Sequence, residues 1–103
     1  MKNQIVKRIY TYDNYRFFLR DYFREQKIQR EIFSHRFFAQ RAGFSSSGFC
    51  SHVIEGKRNL TLNSLKKMIR GLGITGKASD YFQTLVFYNQ SKTAEEREHH
   101  FKK

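Results

Sequence analysis

The chain has 103 residues, no proline, one cysteine, eleven phenylalanines and six tyrosines. That length supports one modest core and not two, and sparse valine, isoleucine and threonine with no proline argue against a β-rich fold and predict an all-α one. Twenty Lys+Arg against nine Asp+Glu give a net charge of +11 and a pI near 10.1, a balance that calls for a polyanionic partner.

The charge is uneven. Residues 1–42 carry a net +6, residues 43–74 a net +4 and residues 75–103 only +1, so an anion-binding face is expected on the first two thirds. A basic protein with no nucleic-acid role is the plainer alternative. Cys50 cannot form an internal disulfide, which suits a reducing cytoplasm. No apolar run approaches the ~18 residues of a membrane span, and "MKNQIVKRIYTYDNYR" has no apolar signal-peptide core. A cytoplasmic protein without membrane contact is expected.

The first strong helix signal is "YDNYRFFLRDYFREQK", with Asp13 as N-cap. Tyr15, Phe18, Leu19, Tyr22 and Phe23 fall at i, i+3, i+4, i+7 and i+8, a broad apolar stripe. Arg16, Arg20, Arg24 and Lys27 occupy other faces, and Phe17, off the stripe, is expected to pack against the N-terminal arm. Ser34 caps a short helix over 35–42 with Phe37, Phe38 and Ala39 as core positions, and Gly43 ends it where positive φ costs glycine little. Ser45 caps the next helix, about 46–54, which buries Phe49 and Val53 before Gly56 closes it. Thr61 opens a fourth helix, with Leu62, Leu65, Met68, Ile69 and Leu72 at the 3.6-residue period, ended by "GLG" at 71–73. Thr75 caps a fifth, whose stripe is Ala78, Tyr81, Phe82, Leu85, Val86 and Asn89. "TAEE" at 93–96 has the form of a capping box and starts a charged terminal helix. The sum is a compact bundle of five to six helices in a single domain.

Residues 37–60, "FFAQRAGFSSSGFCSHVIEGKRNL", join two short helices through a glycine turn, the second opening on small polar residues. That describes a helix-turn-helix. Ala39 lets the helices cross closely, while Phe44 and Phe49 wedge beneath the second. Ser46, Ser47, Gly48, Ser51 and His52 are left facing outward, where a recognition helix of this kind meets base edges in the major groove. Small hydroxyl side chains allow close approach, and a helix N-terminus favours a nearby phosphate.

Ala39, Gly43, Phe44 and Phe49, then "EGKRN", then "LTLNSLKKMIRGLGI" resemble the Cro/repressor (lambda repressor-like) helix-turn-helix over about residues 33–74. More broadly, "YRFFLRDYFREQK", "RFFAQRAGFSSSGF", "VIEGKRNLTLNSLKK" and "YFQTLVFYNQSKTAEER" resemble a family of largely uncharacterised bacterial two-domain, regulator-like proteins. That resemblance implies a DNA-binding N-domain ahead of a helical C-domain, so this chain corresponds to the N-domain, as a piece of a longer protein or a short paralogue. Two positions depart from the Cro/repressor pattern. Glu55 directly precedes Gly56 instead of standing two residues before it, and His52 occupies a position expected to be apolar, with Val53 following. Both point to a second helix rotated or one residue longer than the template.

The expected contact set for double-stranded DNA is Ser45, Ser46, Ser47, Gly48, Ser51 and His52 on the second helix. Lys57, Arg58 and Asn59 in the loop and Arg36, Gln40 and Arg41 on the supporting helix complete it as phosphate contacts. Each has a plainer reading: the serines as a helix cap with polar surface, Lys57 and Arg58 as a solvated basic turn, Asn59 as a brace before the fourth helix. His35, His52, His99 and His100 lack the spacing of a metal site. Cys50 reads as a small buried hydrophobe, and no phosphate-cradling glycine loop is present. No enzyme activity, cofactor or metal is therefore expected. The aromatic stretch 81–88, "YFQTLVFY", is apolar over more than one face, which leaves room for a homodimer or a docked C-terminal domain. Transcriptional regulation through sequence-specific DNA binding is the leading expectation. A protein-interaction module docking through 81–88 and an RNA-binding domain stacking exposed aromatics on bases are the alternatives.

Overall fold

The structure, a computed structural model, describes residues 4–91. Among these residues there are six α-helices and no strand: α1 (Gln4–Lys7), α2 (Tyr15–Gln29), α3 (His35–Ala42), α4 (Phe49–Ile54), α5 (Leu62–Leu72) and α6 (Gly76–Gln90). A 3₁₀ turn spans Ile9–Thr11. The chain is all-α, as its composition predicts. The helix predicted from Thr93 lies outside the described residues.

α2 is the central column. Its entire stripe, Tyr15, Phe18, Leu19, Tyr22 and Phe23, is buried. Rings from two other helices and from the loop between α2 and α3 meet it: Phe82 edge-on to Phe18 at 6.0 Å, Phe38 against Tyr22 at 6.2 Å, and Phe33 against Phe23 at 5.4 Å. Such pairs add directional preference to the area they bury. The N-cap is Asn14 and not Asp13: Asn14 Oδ1 accepts from the Arg16 amide at 2.9 Å. Asn14 is the extended residue immediately before the first helical turn, which is where a side-chain oxygen reaches an orphan N–H. Phe17 is half exposed, with the Arg20 guanidinium 4.8 Å over its ring. The N-terminal arm supplies Ile5 and Ile9 to the core. A four-residue helix is too short to leave a 3.6-residue pattern, so it was not legible beforehand.

Ser34 caps α3 as expected, its Oγ accepting from Phe37 N at 3.0 Å. Phe38, Ala39 and Ala42 are buried, with Phe37 half-buried. The chain reverses at Gly43 (φ 96°), where Phe44 N donates back to Ala39 O at 2.8 Å. This closes the helix end in a left-handed turn that a side chain would strain. α5 packs across α3. Thr61 and Ser64 form a reciprocal capping box, and Leu65, Met68 and Leu72 are buried. Leu62 is 58% exposed, because the first residue of the helix lies beyond the core that its stripe reaches further on.

α6 buries Phe82, Leu85 and Val86 against α2 and the N-terminal arm. Thr75 occupies its N-cap position but makes no side-chain capping bond. The end of α6 is fixed by two amides. Asn89 accepts from Tyr15 N at 2.7 Å and donates to Asp13 O at 3.0 Å. Gln90 Oε1 accepts from Leu60 N at 2.7 Å and from Tyr15 Oη at 2.6 Å, while its Nε2 donates to Leu60 O at 2.9 Å. Gln90 thereby satisfies both backbone groups of a buried residue that belongs to no helix.

Candidate nucleic-acid interface

The segment between α3 and α4 differs from expectation at its second half. α4 begins at Phe49, three residues later than predicted, and Gly48 holds the N-cap position without a side-chain bond. Ser45 therefore caps nothing. Ser46 Oγ accepts from Gly48 N at 3.2 Å, a local turn that competes with helix formation in the way short hydroxyl side chains do. The serine triplet is an exposed loop leading into a six-residue helix, shorter than the predicted span 46–54. Its buried residues are Cys50 and Val53, with Phe49 only half-buried. Val53 and Cys50 are buried as expected and Phe49 packs against the core from its edge, and His52, between Cys50 and Val53 in sequence, is exposed where an apolar residue is expected.

Phe44 and Phe49 stack at 4.9 Å between ring centres, and this pair floors an open cleft of about 310 Å³. Ser45, Ser46, His52 and Arg58 line it, joined by Ser64 and Lys67 from α5. The Arg58 guanidinium lies 5.4 Å over the Phe49 ring, a cation–π contact that holds it toward the cleft. There is no carboxylate among the lining residues. Hydroxyl donors, an imidazole and two cations around an aromatic floor suit anionic oxygen ligands.

The rest of the expected set is dispersed. Asn59 serves as a brace: its Oδ1 accepts from Arg16 Nη2 at 2.7 Å, while Arg16 Nη1 donates to Val53 O at 2.6 Å and Arg58 O at 3.0 Å. Arg16 thus closes the C-terminal end of α4, where cations complement orphan carbonyls. Gly56 (φ 84°) and the Lys57 N–H···His52 O bond of 2.8 Å complete that end. Lys57 is exposed and pairs with Glu55 at 3.3 Å. Arg41 turns away from α4, its Nε donating to Gly71 O at 3.0 Å and its Nη2 to Tyr22 Oη at 3.1 Å. Arg36 and Gln40 lie exposed one helical turn apart on α3, Ser47 is exposed, and Ser51 is half-buried.

Ser64 and Lys67 were not expected at the cleft, although their i, i+3 spacing beside the α5 stripe was readable as one shared face. Arg16 as a brace was not legible, since the carbonyls it holds are 37 and 42 residues away in sequence. Burial pushes the Cys50 thiol up to about 12, which holds it in the protonated form, packed within the core. Among the described residues no group of three or more His, Cys, Asp or Glu could hold a metal ion, and no helix is long and apolar enough to cross a membrane. His99 and His100 lie outside the described residues. Compared with protein-family models, with curated proteins and with solved structures, the chain matches none.

Proposed function

We propose that residues 35–54 form a helix-turn-helix and that the protein binds double-stranded DNA as a sequence-specific transcriptional regulator. One observation carries this reading. Ser45, Ser46, His52 and Arg58, four of the residues singled out by pattern, line one carboxylate-free cleft with Ser64 and Lys67. On this reading α4 and the serine loop face base edges, while Arg58 and Lys67 take phosphates on either side. Lys57, Arg36 and Gln40 remain candidate outer contacts. Arg41 and Asn59, both exposed, are bonded to other parts of the fold and stand apart from this cleft.

The net +10 over residues 1–74 supports the same reading, since phosphate neutralisation supplies most of the affinity of such proteins. The protein-interaction alternative has less to stand on. Phe82, Leu85 and Val86 are buried in the protein's own core, which leaves Phe87 and Tyr88, 51% and 56% exposed, as the apolar surface of the 81–88 stretch.

Selection from a randomised duplex pool, read by fluorescence anisotropy with a salt titration, tests the proposal. An enriched motif is expected. Arg58→Ala and Lys67→Ala should each reduce the slope of log K against log salt by about 1, roughly equally across sequences. Ser46→Ala with His52→Ala should cost about 1–3 kcal/mol on the enriched sequence and little on random duplex. Binding with no enriched motif sinks the sequence-specific reading.

A further inference from the structure

A second and larger cleft, of about 760 Å³, opens where α2 ends beside α3 and α5. None of its lining residues is shared with the cleft at α4. Three arginines from three separate elements converge on it: Arg30 just after α2, Arg41 from α3 and Arg70 from the last turn of α5. No aspartate or glutamate lies among the residues that line it. All three are exposed, and three positive charges around one space with no counter-charge in its lining attract an anion.

Two of the three cations are already held in place, and by neutral groups. The guanidinium carbons of Arg30 and Arg41 lie 5.5 and 5.4 Å from the centre of the same Phe37 ring. Arg41 is further held by the Gly71 carbonyl and the Tyr22 hydroxyl oxygen. Tyr22 is 1% exposed. Its oxygen accepts from Arg41 and anchors that guanidinium at the buried side of the cleft. These partners orient the guanidinium forks without neutralising them. Gly71, Leu72 and Gly73 at the C-terminal end of α5 complete the lining, and at Gly73, where nothing lies within 4 Å of the place a Cβ would take, a ligand can approach the backbone closely.

We propose that this cleft binds a small molecule carrying two or more phosphate groups. Planar guanidinium forks match phosphate oxygens in pairs. Three of them around one space exceed what a single carboxylate uses. The polar lining, with Gln26 and Gln29 beside the arginines, suits a compact polyphosphate group better than an apolar ligand. The inference stands apart from the DNA reading and rests on different residues.

Inorganic tripolyphosphate is the probe, titrated into the full chain by calorimetry at physiological ionic strength, with amide chemical shifts followed in parallel. Saturable one-to-one binding is expected, with shifts centred on Gly71, Gly73 and the Arg41 Nε–H. The double variant Arg30→Gln, Arg70→Gln should weaken it about tenfold or more, with thermal unfolding unchanged; single Arg70→Gln should fall between. Lys66→Gln and Lys77→Gln, which remove equal charge elsewhere, should leave it unaltered. Affinity that survives the arginine pair, or falls as much in the lysine pair, overturns the proposal as general attraction to a basic surface. Displacement of tripolyphosphate by duplex DNA, with both weakened alike by the arginine pair, also overturns it and makes the cleft part of a DNA surface. A matched titration with a nucleoside triphosphate separates an organic ligand from the inorganic ion.

Discussion

Gly71 lies inside α5, and a Cβ built there would meet Phe38 Cζ at 2.6 Å and Ala42 Cβ at 2.8 Å. Both neighbours are buried, and neither is the free end of a flexible chain. Ordinary helix propensity favours alanine over glycine by about 1 kcal/mol, yet here overpacking outweighs it. Gly71→Ala is expected to destabilise by about 1–3 kcal/mol, measured as a lower urea midpoint at unchanged slope. At the start of α3, His35 stacks on Phe23 at 4.7 Å and its Nδ1 is buried without a partner. Burial first, then the Lys27 charge, holds its pKa below the ordinary 6.5. The folded state therefore binds fewer protons than the unfolded chain below that value, so stability is full above pH 6.5 and falls as the pH drops through it. Unfolding measured between about pH 5 and 8 should show this slope in the parent protein and a weaker one in His35→Asn. An equal slope in both would assign the pH dependence to other groups.

At the scale of elements, helix identity was mostly legible because it depends on local pattern. Ser34 before α3, Thr61 before α5 and the glycines after α3 and α5 mark the boundaries that the structure adopts. The failures share a cause. α4 starts late because Ser46 bonds locally to Gly48 N, and a serine triplet offers several competing turns that spacing alone does not rank. The attachment of α6 was equally hidden. Asn89 was expected as one end of a stripe, yet with Gln90 it forms a polar latch to Asp13, Tyr15 and Leu60, up to 76 residues away. Gln90→Ala would leave the amide and carbonyl of Leu60 and the Tyr15 hydroxyl without their partner. It is expected to cost about 2–3 kcal/mol and to speed amide exchange at Leu60 before it affects α3. Gln90→Glu should restore the acceptor role but not the donor role, giving an intermediate loss.

For the whole molecule, one core draws residues from every helix, from Ile5 in α1 to Val86 in α6, and Cys50 sits within it, fully buried. With its thiol pushed up to about 12, Cys50 should react with thiol reagents only when that core opens. Its labelling rate across urea concentrations is then expected to track global unfolding. Fast labelling in native conditions would mean that α4 opens by itself, which would bear directly on how the adjacent cleft is held.

Composition and periodicity by themselves determined that the protein is all-α, where α3 and α5 begin and end, which stripe of α2 is buried, and that the excess positive charge lies in the first two thirds of the chain. These properties follow from interactions within a few turns of chain, which spacing records. Only the tertiary structure decided which cations face outward. Arg16, Arg41 and Arg58 are chemically alike in the sequence, but Arg16 holds the Val53 carbonyl, Arg41 holds Gly71 and Tyr22, and Arg58 borders the cleft beside α4. Which carbonyl or ring an arginine meets depends on helices brought together from distant parts of the chain, and residue spacing carries no record of that.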